Sequence, residues 1–463
     1  MTISRIWAEY ACDLAYESLP QNVIDAAKMF ILDSFGCALG GSKTEDFAIL
    51  EKVFREIGGP GTCSVIGSDL RTDVRSASLI NGVAIRGLDY NDVYWRQDPS
   101  HPSDLLPAAF CVGEAEKKST RDLIVATVIA YELEMRMCEA AFPGVREVGL
   151  HHATLTQFVS PVVAGKMLGL NVDQIVNAIG ISGSHNVTLG SVTAGTLTMM
   201  KNTVDPMATE AGVFAAVLAK YGYKGPTHVF EGREGLFDAI GKEWEPEVLT
   251  ENLGNTFRIV NCSIKPFPSE ALTHAPISAV LDIVSENNLL ADQIESIEIF
   301  TLRRAAEILA DEKKYIIDSR ETADHSLPYC IAAAVVNREL TPQQFTPTAL
   351  RNEQVLSLVP RVRASLDASY EDRFPNEQPC RVVISTIDGR VFERERAYPK
   401  GDPRDQLSTD ELKRKFAGMA DGILDDDAQA KAFEAVYSME DGGSISDLLG
   451  HFTVSAKNNH LTV

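Results

Sequence analysis

The spacing of the apolar residues changes twice along this chain of 463 residues. Up to about residue 255 they recur every three or four positions, as in residues 3–14, which is typical of amphipathic helices. Residues 296–300 then alternate between polar and apolar side chains, and Asp388-Gly389 separates two further alternating segments as in a β-hairpin. Helical spacing returns after Ser408, which is placed to form a capping box with Glu411.

This order predicts a mainly α fold with two domains, because one hydrophobic core seldom organises more than about 300 residues. We expect a large all-helical domain formed by both chain ends, residues 1–255 and 400–463. A smaller α+β domain, residues 256–399, is expected to be inserted between them.

The net charge of −22 restricts the partners of the chain. So acidic a protein repels phosphate groups, which argues against nucleic acids and anionic membranes as partners. An anionic substrate would need basic side chains concentrated at its site. The most apolar stretch, residues 123–131, is far too short to span a bilayer.

Cysteine and motif content narrows the possible chemistry. The eight cysteines include no Cys-x-x-Cys pair, so no local zinc or iron–sulfur motif is present. Residues 1–5 lead directly into an amphipathic helix instead of a signal-peptide hydrophobic region, so we expect reduced thiols and a cytoplasmic location. The nucleotide-binding glycine motifs, the serine nucleophile elbow and the His-Glu-x-x-His zinc helix are also absent. Hydride transfer, nucleotide hydrolysis and serine hydrolysis are therefore disfavoured.

Two polar clusters contain histidines that could act as an acid or a base. Asp89 and His101 lie on a loop, where the carboxylate could fix the imidazole tautomer; alternatively Asp89 caps a helix and His101 braces a turn. His151 and His152 open an apolar helix that reaches Leu168. Neighbouring helical residues point about 100° apart, so this pair is not expected to share a metal ion.

Further polar residues lie in apolar surroundings. Lys201 follows two methionines and precedes a helix rich in small residues, where a lysine needs an anion or a route to solvent. Lys265 begins a Lys-Pro-Phe-Pro segment, and residues 321–329 include His325 and Tyr329. Each of these features alone could equally belong to an ordinary domain boundary.

Together these segments resemble the MmgE/PrpD family along nearly the whole chain. The resemblance rests on the order and spacing of several motifs: Asp33-Ser34-Phe35-Gly36-Cys37-Ala38-Leu39-Gly40-Gly41, Asn81-Gly82, Leu88-Asp89-Tyr90, His101-Pro102, Gly149-Leu150-His151, Lys201, Gly225-Pro226, Phe230-Glu231-Gly232 and Lys265-Pro266-Phe267-Pro268. Residues 321–329 most resemble the 2-methylcitrate dehydratase branch.

The resemblance implies a fold, an assembly and a class of reaction. It implies an all-helical domain with a smaller α+β lid, a homodimer, and an active site that uses neither a metal nor an organic cofactor. The implied enzyme is a lyase that dehydrates a 2-methylcitrate-like hydroxy polycarboxylate after removing a proton next to a carboxylate. Decarboxylation of a cis-aconitate-like acid and epimerisation of an amino-dicarboxylate are the alternatives within the family.

Matching by motif also implies the site residues. The catalytic candidates are Asp89, His101, His151 and Tyr329, and the substrate-binding candidates are Lys201, Lys265, His152 and His325. Either His101 or His151 could be the base, with Asp89 orienting a histidine. The other histidine, or Tyr329, could protonate the leaving hydroxide. The two lysines could hold substrate carboxylates as point charges.

The sequence departs from the family pattern at several positions. Arg86 replaces a frequent histidine, Val93 a possible threonine, and residues 190–193 lack arginines common in the dehydratase branch. Residues 202–206, which include Asp205, differ from the frequent Arg-Leu-His-Ala-Gly. These departures leave room for a smaller or differently charged acid. A non-catalytic protein that binds small acids is the alternative of another class, although binding alone needs no acid/base pair.

Overall fold

A computed structural model describes residues 1–142, 144–194, 197–240 and 243–454, so the last nine residues of the predicted helical domain lie outside the described part. The chain forms two compact units. The first unit comprises Met1–Cys262 and Asp410–Val463, and the second unit comprises Ser263–Thr409.

The first unit is built mainly from helices. They are α1 (Ile3–Asp13), α2 (Gln21–Gly41), α3 (Glu45–Ile57), α4 (Val74–Arg86), α5 (Leu106–Ala115), α6 (Thr120–Ala140), α7 (Ala153–Leu168), α8 (Val172–Gly183), α9 (Met200–Lys220) and α10 (Leu236–Ile240). Short strands lie between them: β1 (Cys63–Ser64), β2 (Arg71–Thr72), β3 (Asp92–Trp95), β4 (Pro99–Ser100), β5 (Ala141–Phe142) and β6 (Glu243–Trp244).

The core of the first unit depends on close contacts between helices. Helix α7 packs against α9, and Gly212 of α9 makes the approach possible. A Cβ atom at Gly212 would lie 1.9 Å from the Oγ atom of Ser160 on α7, which no larger residue could accommodate without movement. Because the N-termini of α7 and α9 carry histidine and lysine, this packing fixes the backbone beneath them.

The second unit combines a sheet with helices. Its strands are β7 (Ser263–Ile264), β8 (Ile294–Thr301), β9 (Val362–Leu366), β10 (Cys380–Thr386) and β11 (Val391–Arg396). Its helices are α11 (His274–Asn287), α12 (Arg303–Ile308), α13 (Arg320–Ala323), α14 (Leu327–Asn337) and α15 (Glu353–Leu358).

The main sheet of the second unit has the order β11-β10-β8-β9. Strands β10 and β11 form the hairpin predicted at Asp388-Gly389, with Ser385 paired to Val391 and a φ of 85° at Gly389. Strand β8 runs antiparallel to β10 and parallel to β9. Helices α11 and α14 pack against this sheet.

The chain then returns to the first unit. Its last helices are α16 (Thr409–Ala420), α17 (Asp426–Tyr437) and α18 (Ile445–Gly450). The predicted mainly α fold class is confirmed, whereas the lid role of the second unit and the predicted domain boundaries stay predictions. Within the described ranges, no helix is both long and apolar enough to cross a membrane.

Candidate functional site

Five of the eight predicted site residues belong to the first unit, and all five are buried: Asp89, His101, His151, His152 and Lys201. Asp89 follows α4, and His101 follows the β3–β4 hairpin. The two neighbouring histidines precede α7, and Lys201 lies in the first turn of α9. Four separate segments of the chain therefore contribute these side chains.

Lys201 and Asp89 form a buried ion pair. The Nζ atom of Lys201 lies 3.4 Å from Oδ2 of Asp89. Asp89 has a φ of 50°, a left-handed conformation that is uncommon outside glycine, and its N–H donates to the carbonyl oxygen of Arg86 at 3.0 Å. Residues held in such conformations cost roughly 1–3 kcal/mol and concentrate at functional sites.

The tautomer of His101 is determined by a backbone contact. Its Nδ1 atom lies 2.6 Å from the carbonyl oxygen of Asp92. A carbonyl oxygen can only accept, so Nδ1 carries the proton and Nε2 carries the lone pair in the neutral ring. The Asp92 carbonyl therefore orients the ring of His101 at this nitrogen, and the orientation of a histidine by Asp89 stays a prediction.

His151 has the opposite tautomer. Its Nδ1 atom lies 3.2 Å from the backbone nitrogen of Ala153, which donates an N–H group at the start of α7. Nδ1 must therefore be the unprotonated nitrogen, and Nε2 carries the proton. Burial, followed by the electrostatic effect of the neighbouring His152, lowers the pKa of His151 well below its usual value. His151 is thus a neutral hydrogen-bond donor at Nε2.

The ring of His152 packs against that of His151 in a tilted arrangement. Their ring centroids lie 3.9 Å apart at an interplanar angle of 35°, and the centroids of His152 and His101 lie 5.8 Å apart. The helix predicted to open at these histidines and to reach Leu168 is α7, with His152 as its N-cap and Ala153 as its first residue.

The same two histidines and Asp205 meet one criterion for a metal site. One ligand atom from each of the three lies within 4.8 Å of the others. The unprotonated nitrogen of His151, Nδ1, however, already accepts the N–H group of Ala153. The guanidinium group of Arg86 also lies 3.6 Å from Asp205, which opposes a second cation.

A buried charge network was not predicted from the sequence. The Nη2 atom of Arg86 lies 3.6 Å from Oδ2 of Asp205, and its Nη1 atom lies 3.7 Å from Oδ2 of Asp104. The second oxygen of Asp205 lies 3.4 Å from Nε2 of His152. Arg86 and Asp205 are both departures from the family pattern, and here they contact each other.

The two carboxyl groups of this network differ in charge. Burial raises the pKa of Asp104 well above its usual value, although Arg86 partly offsets the effect. Burial alone would raise the pKa of Asp205, but the neighbouring His152 and the guanidinium group of Arg86 outweigh it and hold that pKa below its usual range. Asp205 is therefore the ionised partner of the pair.

Glu134 of α6 is another buried acid, and it was not predicted from the sequence. Its Oε1 atom accepts hydrogen bonds from Ser100 at 2.6 Å and from Thr156 at 2.9 Å. Burial raises the pKa of Glu134 to about 7. The only sequence signal is a second acidic residue, two positions after Glu132, in a helix that is otherwise mostly apolar.

The other three predicted residues belong to the second unit. The Nζ atom of Lys265 donates to the carbonyl oxygen of Ser269 at 3.2 Å. His325 pairs with Asp324 through Nδ1 and Oδ1 at 2.5 Å. The ring of Tyr329 is fully buried, and its hydroxyl group donates to the carbonyl oxygen of Gln344 at 2.5 Å.

Family models match most of the chain. Residues 5–249 match the MmgE/PrpD N-terminal domain, and residues 267–441 match the MmgE/PrpD C-terminal domain. The chain belongs to the MmgE/PrpD family. The resemblance inferred from the motifs is thereby confirmed.

Curated relatives of the MmgE/PrpD family align over nearly their full length. The chain is 28% identical to a cis-aconitate decarboxylase-like protein of Aspergillus oryzae over 95% of each chain. It is 26% identical to human cis-aconitate decarboxylase, over 95% of this chain and 92% of the relative. It is 24% identical to the 2-methylcitrate dehydratase of Escherichia coli over 84% of each. These relatives are lyases, which supports an enzyme of this family.

Proposed function

We propose that this protein is a cofactor-independent lyase that dehydrates a 2-methylcitrate-like hydroxy polycarboxylate. Removing a proton next to a carboxylate requires a base, together with groups that stabilise the developing negative charge. A leaving hydroxyl group also requires a hydrogen-bond donor or acid. The proposal assigns these tasks to histidines and lysines of this chain.

The main support for this proposal is that His101 and His151 have opposite tautomers. The lone pair on Nε2 of His101 suits the removal of a proton, and the Nε2–H group of His151 suits donation to the leaving oxygen. Burial lowers the pKa of His151, and the positive end of helix α7 also disfavours its charged form, so it stays a neutral donor. A protein that only binds acids would need no such complementary pair.

Cationic side chains account for an anionic substrate in so acidic a chain. We assign Lys201 and Lys265 to substrate carboxylates, and His325 to the same task with Asp324 orienting its ring. Asp89 would keep Lys201 in position until a substrate carboxylate replaces or joins it. Tyr329 is the weakest candidate for a proton donor, because its hydroxyl proton is already donated to Gln344.

Decarboxylation of a cis-aconitate-like acid is the second candidate. It is favoured by the relatives in Aspergillus oryzae and human, which align with this chain over 95% of its length. Loss of carbon dioxide needs a proton donor for the resulting carbanion, a task that His151 could perform. Decarboxylation does not need a base that removes a proton from carbon. Only dehydration therefore requires His101 as a base.

An NMR time course in deuterated water tests the proposal. Purified protein treated with a chelator is incubated separately with 2-methylcitrate, citrate, cis-aconitate and iminodisuccinate. Formation of an unsaturated acid from 2-methylcitrate is the expected result. Loss of carbon dioxide from cis-aconitate would establish the second candidate, and deuteration of iminodisuccinate without net change would indicate an epimerase. If every acid stayed unchanged, the proposed substrate class would be wrong.

The proposed assembly is a homodimer that uses an exposed face of α9. Met200, Met207, Phe214 and Tyr221 recur every seven residues, so they lie along one face of the helix and its C-terminal end. Each exposes more than a third of its surface. A second copy of the chain would cover this apolar face.

All eight cysteines are present as thiols, which fits the proposed cytoplasmic location.

A further inference from the structure

Asp205 has two buried partners that the proposed mechanism does not use. One carboxylate oxygen lies 3.4 Å from Nε2 of His152, and the other lies 3.6 Å from Nη2 of Arg86. All three side chains are almost inaccessible to solvent. A charged carboxylate this deeply buried is tolerated only when its partners match its charge.

His152, in turn, limits the orientation of His151. The two rings lie 3.9 Å apart between centroids, so the ring of His151 cannot turn freely on that side. His151 must keep one orientation if its Nδ1 atom is to accept the N–H group of Ala153 at 3.2 Å. That contact is what leaves the proton on Nε2. The chain of contacts therefore runs from Asp205 through His152 to the tautomer of His151.

We propose that Asp205 is a positioning residue, which acts through His152 to hold the ring of His151 in its working orientation. The inference rests on the proposed function, in which His151 donates to the leaving group. Asp205 holds the His152 ring by electrostatic attraction, with its Oδ1 atom 3.4 Å from Nε2, and Arg86 holds the carboxylate from the other side at 3.6 Å. Supporting residues of this kind keep a catalytic group within a fraction of an ångström of its productive position.

Asp104 provides a control for the loss of a carboxyl group beside Arg86. It lies on the other side of the same guanidinium group, with its Oδ2 atom 3.7 Å from Nη1 of Arg86. Its pKa is raised well above the usual value, so replacing the carboxyl group with a neutral amide changes little charge. Asp104→Asn and Asp205→Asn thus alter two partners of Arg86, and the structure places only Asp205 within 4 Å of a ring nitrogen of His152.

A double-mutant cycle tests whether Asp205 acts through His152. The four proteins are the wild type, Asp205→Asn, His152→Phe and the double variant, assayed with 2-methylcitrate and with cis-aconitate. In the wild-type background, we expect Asp205→Asn to lower kcat at least tenfold with KM within twofold. In the His152→Phe background, the same change should alter kcat less than twofold, because the residue through which it acts is gone.

Other outcomes would overturn the proposal. An equal loss of kcat in both backgrounds, or a loss in Asp104→Asn as large as in Asp205→Asn, would show that Asp205 acts independently of His152 or only through Arg86. If His152→Phe fails to fold, His152→Gln takes its place in the cycle.

A second measurement does not depend on the substrate. With ¹⁵N-labelled histidine, the nitrogen shifts of His151 should show a protonated Nε2 in the wild type and a mixture of tautomers in Asp205→Asn. An unchanged tautomer in Asp205→Asn would overturn the positioning role. A wild-type protein inert toward both acids would overturn the proposed function alone, and the shifts of His151 would still decide the role of Asp205.

Discussion

The Nδ1 atom of His101 lies 2.6 Å from the backbone carbonyl oxygen of Asp92 and donates its proton to it. The equivalent atom of His151 accepts a backbone N–H group instead, at 3.2 Å. Backbone groups cannot exchange their roles as donor and acceptor, so the fold itself assigns a different proton position to each ring. This difference gives the two histidines different chemical tasks.

Replacing His101 tests the role of the base. In His101→Asn the side-chain amide can still donate to the Asp92 carbonyl, but it cannot take up a proton. We expect kcat for dehydration of 2-methylcitrate to fall about a hundred- to ten-thousandfold, the usual contribution of a general base. The control is His185→Asn, at an exposed histidine whose Nδ1 atom also contacts a backbone carbonyl. Steady-state kinetics that show equal activity for both variants would remove His101 from the mechanism.

Replacing Lys201 separates substrate binding from stability. Lys201→Met removes a cation for the substrate but also leaves Asp89 buried without this partner, which costs about 3–5 kcal/mol when a buried pair is broken. The double variant Asp89→Asn, Lys201→Met should recover most of the stability in urea denaturation. Both variants should raise KM at least tenfold. A KM unchanged in the double variant would contradict a role of Lys201 in binding a substrate carboxylate.

Glu134 should make the stability of the protein depend on pH. Its pKa is raised to about 7, so the folded state holds a proton that the unfolded chain has already released. The stabilisation is fully present below about pH 4.5, the unfolded value, and is lost as the pH rises through about 7. A shift of this size corresponds to about 3 kcal/mol.

The variant Glu134→Gln lacks this titration. Its free energy of unfolding relative to the wild type should therefore increase by up to about 3 kcal/mol between pH 5 and pH 8, measured by urea denaturation. If the free energies of unfolding of Glu134→Gln and the wild type instead differ by a constant amount from pH 5 to pH 8, Glu134 does not hold its proton in the folded state.

The exposed face of α9 should control the oligomeric state. Met207→Asp places a charge in the middle of the apolar face and should convert a dimer, at twice the 50.5 kDa of the chain, into a monomer. Light scattering after size exclusion measures the mass. Ile57→Asp adds the same charge at an exposed apolar residue of α3 and should leave the dimer intact. A dimer that persists in Met207→Asp would place the interface elsewhere.

The sequence was informative where local rules determine structure. The Asp388-Gly389 turn specifies a hairpin because glycine accepts the φ of 85° found there. The buried helices were visible from apolar spacing, although the boundaries of α9 were not. Lys201 was predicted to precede the helix, whereas the helix begins at Met200 and continues through Pro206. Proline normally favours a helix end, and here the packing against α7 outweighs that preference.

The sequence predicted which residues belong to the candidate site better than it predicted the contacts between them. Motifs identified His101 and His151, but their tautomers depend on the Asp92 carbonyl and the Ala153 N–H group, which no side-chain pattern reveals. Arg86 and Asp205 were visible as departures from the family pattern, yet their contact joins residues more than a hundred positions apart. Such long-range pairs follow from the packing of α4 against α9, which is a property of the tertiary structure.

The proton positions of His101 and His151 are the most direct test of the account. In protein labelled with ¹⁵N-histidine, with resonances assigned from single variants, the nitrogen shifts distinguish a protonated from an unprotonated ring nitrogen. We predict a protonated Nδ1 in His101 and a protonated Nε2 in His151 near neutral pH. The same tautomer in both rings, or a doubly protonated His151, would contradict the division of their roles into base and donor.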